Sequence, residues 1–336
     1  MSEIPVIDLQ PWFHGTATDR QAVARAMNTA CHEVGFLQVL GHGVADPLRA
    51  GVLNQMNEFF KQETSLKESV RPTDGSYRGY SGRKSESFAY TVGDIRPADL
   101  VEAFVMGSQD QSGARTGAIH THAPNVWPEN LRDFAATTWE YYLAARQLSE
   151  TMADISALAL DLDPNFFQER LSDAVVTMRM NWYQRLANEP ELDEQQMALG
   201  AHTDYGILTV LLADVGPGLQ ILSDTSEWIN VSPLADAFVI NVGDALAVWT
   251  NNHWKSTVHR VVPSMAIGGK PRRSIALFQD GNFDTPLHVL DQFTSPDNPP
   301  LYAPTTLGEH VTSKIIGGRD SVIPAVQQTL GQRKTN

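Results

Sequence analysis

The chain is short of cysteine, of positive charge and of long apolar runs, and each shortage closes off a class of function. Cys31 is the only cysteine among 336 residues, so no intramolecular disulfide can form and a reducing, cytoplasmic compartment is expected. It falls in line with Val23, Met27, Ala30 and Val34 on an apolar helical face, which marks it as core filler rather than as a nucleophile. Lys and Arg total 25 against 39 Asp and Glu, a formal net charge of −14. Neither nucleic acid nor an anionic membrane surface is expected as a partner, since both favour clustered basic residues. No apolar run approaches the roughly 18 residues that a membrane-crossing helix needs, and Met1–Pro5 lacks the basic start and apolar stretch of a secretory leader. What remains is a soluble globular chain with 42% hydrophobic residues, enough for a sizeable core.

No repeat, low-complexity tract or long linker interrupts the sequence, so one domain spanning 1–336 is expected. Its front region, 1–110, carries short strands at Ile4–Leu9 and Phe36–Leu40 around a helical pattern from Asp19 to Val34, then a helix from about Pro47 to Lys61. Residues 72–98 mix glycine, proline and polar residues with Tyr77, Tyr80, Phe88 and Tyr90, the composition of a mobile, aromatic-anchored loop over a site. Pro128 opens the longest helical pattern, to about Leu160. Over 174–290 the texture changes to strands: Val175–Tyr183, Ile207–Leu212, Gly218–Leu222, Phe238–Val242, Ala245–Thr250, Thr257–Val262 and Arg273–Phe278, with Gly243–Asp244 as a tight turn. The expectation is an α+β chain with a mainly β core, a jelly roll whose mouth can take a small ligand. Residues 291–336 read as a short helix, Glu309–Ile316, and a tail.

Chemistry concentrates in the strand-rich part. In His202–Thr203–Asp204 an extended backbone projects the imidazole and the carboxylate to one side, and His259 in Val258–His259–Arg260 offers a second imidazole. Two imidazoles and one carboxylate with open positions form the facial arrangement of non-haem Fe(II) oxygenases, whereas structural zinc sites are closed and cysteine-rich. Alternation also pairs Arg272 with Ser274 on one face, so that a guanidinium and a hydroxyl can grip one carboxylate. Arg273 should point the other way, and Arg260 outward. Arg179, Asn181 and Tyr183 set three polar groups on one face of another strand, which suggests a wet, ligand-holding interior.

This ordered set resembles the isopenicillin N synthase-like branch of the Fe(II) and 2-oxoglutarate-dependent dioxygenases. Ile4–Leu9, Glu33–Phe36 and Gly41–Val44 are similar to the N-terminal region of that family. Asn181–Trp182–Tyr183 stands where the family has Asn-Tyr-Tyr, Pro217–Gln220 matches a family signature, and Arg272-x-Ser274 matches its Arg-x-Ser. The resemblance covers nearly the whole chain and implies a double-stranded β-helix, cupin-like, with flanking N-terminal and long central helices. It implies that His202, Asp204 and His259 bind Fe(II), that Arg272 and Ser274 hold the distal carboxylate of 2-oxoglutarate, and that Asn181 and Tyr183 assist. With dioxygen as the other reactant, it also implies oxidation of a C–H bond, most simply hydroxylation, in a small molecule of secondary metabolism, coupled to loss of carbon dioxide and release of succinate. Related halogenases lack the carboxylate ligand, so Asp204 points to oxygen transfer.

Two other readings stay open on the residues: an iron oxidase or oxidative cyclase of the isopenicillin N synthase type that does without 2-oxoglutarate, and a barrel that binds a small molecule without turnover. Candidate substrate-pocket residues are Phe88, Tyr90, Trp182, Tyr205, Leu208, Phe278 and Phe283. Arg78, Arg83 and Arg96 lie in the 72–98 loop, where they could meet an anionic substrate but are more simply solvated surface residues; His42 is expected in a structural turn, and His120 and His122 as surface or packing histidines. Gln327, Gln328 and Gln332 bear only a weak likeness to the iron-facing glutamine of isopenicillin N synthase. The chain is expected to act as a monomer or homo-oligomer.

Overall fold

The structure is a computed structural model, and it describes residues 4–73, 76–93, 97–108, 123–185, 192, 195–263 and 269–319. His120, His122, Arg96 and the glutamines of the tail lie outside them, as does the side chain of Tyr90.

Twelve strands build two sheets. In chain order they are β1 (Val6–Asp8), β2 (Phe36–Leu40), β3 (Gly79–Ser81), β4 (Glu102–Gly107), β5 (Ala174–Tyr183), β6 (Leu199–His202), β7 (Leu208–Ala213), β8 (Leu219–Leu222), β9 (Trp228–Asn230), β10 (Phe238–Val242), β11 (His259–Val261) and β12 (Arg272–Asn282). The large sheet runs β1-β2-β10-β7-β12-β5-β4-β3 and the small one β6-β11-β8-β9. Apart from the parallel β1–β2 pair, both sheets are antiparallel. Two sheets around one cavity make the double-stranded β-helix.

Helices cover the outer face of the large sheet. The helix Ala17–Glu33 opens with a capping box, Thr16 and Asp19 each accepting a hydrogen bond from the other's backbone N–H. Its face of Val23, Ala24, Met27, Ala30 and Cys31 is buried, so Cys31 is core, and burial pushes its thiol pKa far up. The helix Phe134–Ala159 presents Tyr141, Ala145, Leu148, Met152 and Ile155 to the same core and packs on the Ala17–Glu33 helix, the Asp46–Phe60 helix, β7 and β12. Its first residue is Phe134, six later than the Pro128 start read from the sequence, because turns occupy the intervening residues. Among the described residues no helix is long and apolar enough to cross a membrane.

The sequence reading needs correction in several places. Ala245–Thr250, read as a strand after a tight turn, is part of a helix, Asp244–Trp249, with Gly243 as its N-cap. All six of its residues are buried, so its apolar run has no polar face by which helix and strand could be told apart. Strands β3, β4, β6 and β9 were not anticipated as strands; β3, β6 and β9 are only three or four residues long, too short to show a period. The C-terminal helix is longer than expected, Leu307–Arg319.

Candidate active site

Backbone pairing brings the metal-type residues together. His259 opens β11 directly opposite His202 at the end of β6, and Asp204 follows two residues beyond His202. All three are buried, with candidate ligand atoms within 4.8 Å of one another. Asp204 Oδ1 lies 3.7 Å from Nε2 of each histidine. The rings are aimed from behind: the Gly200 carbonyl is 2.8 Å from His202 Nδ1 and the Thr257 carbonyl 3.1 Å from His259 Nδ1. A carbonyl only accepts, so each Nδ1 carries the proton and each Nε2 presents a lone pair. Burial, and then the neighbouring His259 ring, hold the His202 pKa down to about 4, which keeps it neutral as a metal ligand must be. Phe88 packs 5.1 Å from the His202 ring and Phe36 5.3 Å from the His259 ring, centroid to centroid.

The second oxygen of Asp204 is already engaged. Thr209 Oγ1 donates to Oδ2 at 2.5 Å and Asn241 Nδ2 at 2.7 Å, which turns Oδ1 towards the histidines. Sequence reasoning missed both residues. Thr209 and Asn241 are paired neighbours on β7 and β10, polar and buried inside apolar strands, and that placement was the available signal.

An anion-accepting end adjoins the triad. Alternation along β5 turns Thr177, Arg179, Asn181 and Tyr183 into a cavity of about 170 Å³, and along β12 it does the same for Arg272, Ser274, Ala276, Phe278 and Asp280. Ser274 pairs with Asn181 across the sheet, their side chains 3.5 Å apart. Tyr183 lies beside Ser274 and Arg272, its ring 5.3 Å from the Arg272 guanidinium. Arg272 Nε and Nη1 are shielded from solvent and have no hydrogen-bond partner among the described residues. Burial lowers the pKa of this guanidinium, and two idle, shielded donors on it suit a carboxylate guest. Arg273 points away and forks onto Asp214 at 2.8 and 3.0 Å, while Arg260 lies over Trp228 outside the cavity.

Further residues hold this frame. Arg179 donates to Glu86 at 2.8 Å and to Asn181 at 2.7 Å, a buried ion pair that fixes the amide beside Ser274. Asp99 accepts from the backbone N–H of Phe88 and of Gly200, both at 2.9 Å, and so ties the aromatic loop to the strand of His202. Burial pushes the Asp99 carboxyl up to about 7. Asp244 receives Lys314 of the C-terminal helix at 2.8 Å, together with Ser256 at 2.7 Å, and Val311 of that helix reaches the cavity.

Of the pocket residues read from the sequence, Phe88, Tyr205 and Phe278 line the cavity, joined by Tyr77. Trp182 does not: the alternation that faces Asn181 and Tyr183 inward sends Trp182 outward, stacked 5.4 Å from Phe60. Leu208 is likewise core, because Thr209 and Leu211 take the inward positions of β7. Phe283 packs against Gly308 in a separate small hollow behind Asp280. Arg78 is a correction of the opposite kind, 1% exposed rather than at the surface, and Arg83 is half-buried. His42 sits in a turn with its rings' nitrogens on Asp236 O and Val44 N.

Comparison with known proteins agrees with this geometry. Residues 4–130 match the non-haem dioxygenase N-terminal model, described as that of morphine synthesis, and residues 176–281 match the 2OG-Fe(II) oxygenase superfamily. Clavatol oxidase claD of Penicillium crustosum is 32% identical over 93% of this chain and 95% of its own length. Among solved structures, a putative 2OG-Fe(II) oxygenase family protein from Caulobacter crescentus superposes with a TM-score of 0.80 at 26% identity, covering 94% of this chain and 99% of its own. A full-length Neurospora crassa protein in complex with alpha-KG and thymine gives 0.79 at 26% identity, covering 98% and 97%.

Proposed function

The chain belongs to the 2-oxoglutarate and Fe(II)-dependent dioxygenases, and from that premise we propose that His202, Asp204 and His259 hold the iron, that Arg272 and Ser274 hold the distal carboxylate of 2-oxoglutarate, and that a C–H bond of a small molecule is hydroxylated between them and the aromatic wall. The observation that carries this reading is the pairing of a three-ligand cluster with the two idle donors of Arg272 in one cavity.

Fe(II) with 2-oxoglutarate supplies the activation of dioxygen, and 2-oxoglutarate leaves as succinate and carbon dioxide. The protein's own groups do the rest. Asp204 offers one oxygen to the ion and keeps the other on Thr209 and Asn241, which fixes its plane. Arg272 would donate to a carboxylate through Nε–H and Nη1–H and Ser274 would add its hydroxyl, with the Tyr183 ring 5.3 Å from the guanidinium. Phe88, Tyr205 and Phe278 exclude water from the reacting centre and hold the substrate by its apolar body. The three ligand residues and the residues assigned to 2-oxoglutarate come from one chain, and the buried lone thiol of Cys31 supports a cytoplasmic setting.

Calorimetry with Co(II) and 2-oxoglutarate on metal-stripped protein tests the assignment. One equivalent of each should bind to the unaltered chain, His202→Ala should abolish metal uptake, and Arg272→Leu should weaken 2-oxoglutarate alone. Unchanged Co(II) binding in His202→Ala would refute the ligand set.

A further inference from the structure

The end of the cavity away from Arg272 holds a carboxylate to which the reading above gives no task. The inward row of β12 begins on Arg272 and ends on Asp280. Asp280 lines the cavity and is only 9% exposed, and among the described residues no donor hydrogen-bonds either of its oxygens. Gly206 makes room for it: a Cβ there would fall 2.2 Å from Asp280 Oδ1. The nearest opposite charge, Arg78, is committed elsewhere, to the Ala123 carbonyl and Thr177 Oγ1, both at 3.4 Å. A structural salt bridge would bring the two groups into contact. A buried acid without a donor costs stability, and burial, followed by the charge of Asp204, raises the Asp280 pKa to about 7. Phe278 precedes it on the same face, with Tyr205 and Phe88 also in the wall.

We propose that Asp280 is a specificity-determining residue of this active site, accepting a hydrogen bond from an N–H or O–H donor, an amine above all, on a small ring-bearing substrate. The inference rests on the assignment of the iron and 2-oxoglutarate subsites. The cation at one end of β12 and the anion at the other give the cavity a direction. A dicarboxylate is drawn to Arg272 and repelled from Asp280, and a donor-bearing substrate takes the opposite end, so neither competes for the other's place.

The test uses the full chain loaded with Zn(II) and 2-oxoglutarate, which holds the site without turnover, and follows benzylamine, benzyl alcohol and toluene by ligand-observed NMR titration. Wild type should bind benzylamine at least tenfold more tightly than toluene. Asp280→Asn should erode that preference and Asp280→Leu should erase it, with both variants still taking up Zn(II) and 2-oxoglutarate. A preference shared by benzyl alcohol identifies a neutral donor and one confined to benzylamine a cation; both support the proposal. Lack of a tenfold preference for either donor-bearing probe in wild type overturns it, as does a preference that survives in Asp280→Leu. Failure of wild type to take up Zn(II) or 2-oxoglutarate is a separate result, which overturns the underlying assignment and the proposal with it.

Discussion

Replacing Asp280 by asparagine should shift the stability of the metal-free protein increasingly in the variant's favour between pH 5 and pH 8, with a net gain at pH 8. The Asp280 carboxyl is held near 7 against an ordinary 3.8, by burial first and the Asp204 charge second, with Arg78 opposing both. Below pH 3.8 the acid is protonated in the folded and unfolded chains alike and contributes nothing. As the pH rises, the unfolded chain gives up the proton and the folded chain keeps it, so stability falls until about pH 7 and is then level. The whole gap corresponds to about 4 kcal/mol, at about 1.4 kcal/mol for each tenfold step. Asparagine carries no such penalty, but it buries an amide without partners at a cost of about 1–3 kcal/mol, which is the same at every pH. The advantage of the variant should therefore be roughly 2–3 kcal/mol larger at pH 8 than at pH 5, measured by urea unfolding of metal-stripped protein with m-values compared. In thermal melts at pH 8 a net gain of about 1–3 kcal/mol is a rise of roughly 1.5–4 °C for a chain of this size. A stability difference that is flat across this range would refute the reasoning, because it would mean that Asp280 is ionised in the folded state at pH 5.

Other consequences can be checked separately. Asn241→Leu removes one of two donors on Asp204 Oδ2, so Co(II) affinity should fall about 10- to 100-fold with the circular dichroism spectrum unchanged. Arg272→Leu should raise the Kd for 2-oxoglutarate about 10- to 100-fold, the loss of a charge-assisted pair worth about 1.5–3 kcal/mol, and leave Co(II) binding as it was. Glu86→Gln leaves the Arg179 guanidinium buried without its anion, and its cost of about 3 kcal/mol or more should appear as a lowered Tm. Lys314→Ala removes the cation on buried Asp244, and limited proteolysis should then cut within the Leu307–Arg319 helix faster than in wild type.

The sequence makes the chemistry easier to read than the scaffold that supports it. His202, Asp204, His259, Arg272 and Ser274 could be found because alternation in a strand puts i and i+2 on one face, and the residue types are rare in such positions unless they act. Glu86 and Asp99 could not, because their value depends on which strand lies next to which, and Thr209 and Asn241 showed only as polar residues within apolar strands, which does not say what they meet. The order β2-β10-β7-β12-β5 comes from long-range pairing, to which no local pattern points. Phe88 was legible as an aromatic in a loop, yet its tie through Asp99 to Gly200 joins residues of the two separately matched family regions. The misreading of Trp182 was avoidable. With Asn181 and Tyr183 assigned inward, period-two alternation already required the residue between them to face the helices.

One strand sets most of what this cavity can select. Along the inward face of β12 the side chains run from guanidinium to hydroxyl, methyl, aromatic ring and carboxylate, at Arg272, Ser274, Ala276, Phe278 and Asp280. Antiparallel pairing with β5 fixes the register of that series against Arg179, Asn181 and Tyr183, so the charges on facing strands cannot slide relative to each other without moving every side chain to the wrong face. A bulge between Gln279 and Gly281 falls beside the last member, and bulges re-aim a side chain at the end of a ladder. Asp280 is thus the one member of the row whose direction the regular pleat does not dictate. The end of the strand that carries Arg272 is held by strict pairing, and the end that carries Asp280 is where the backbone departs from it.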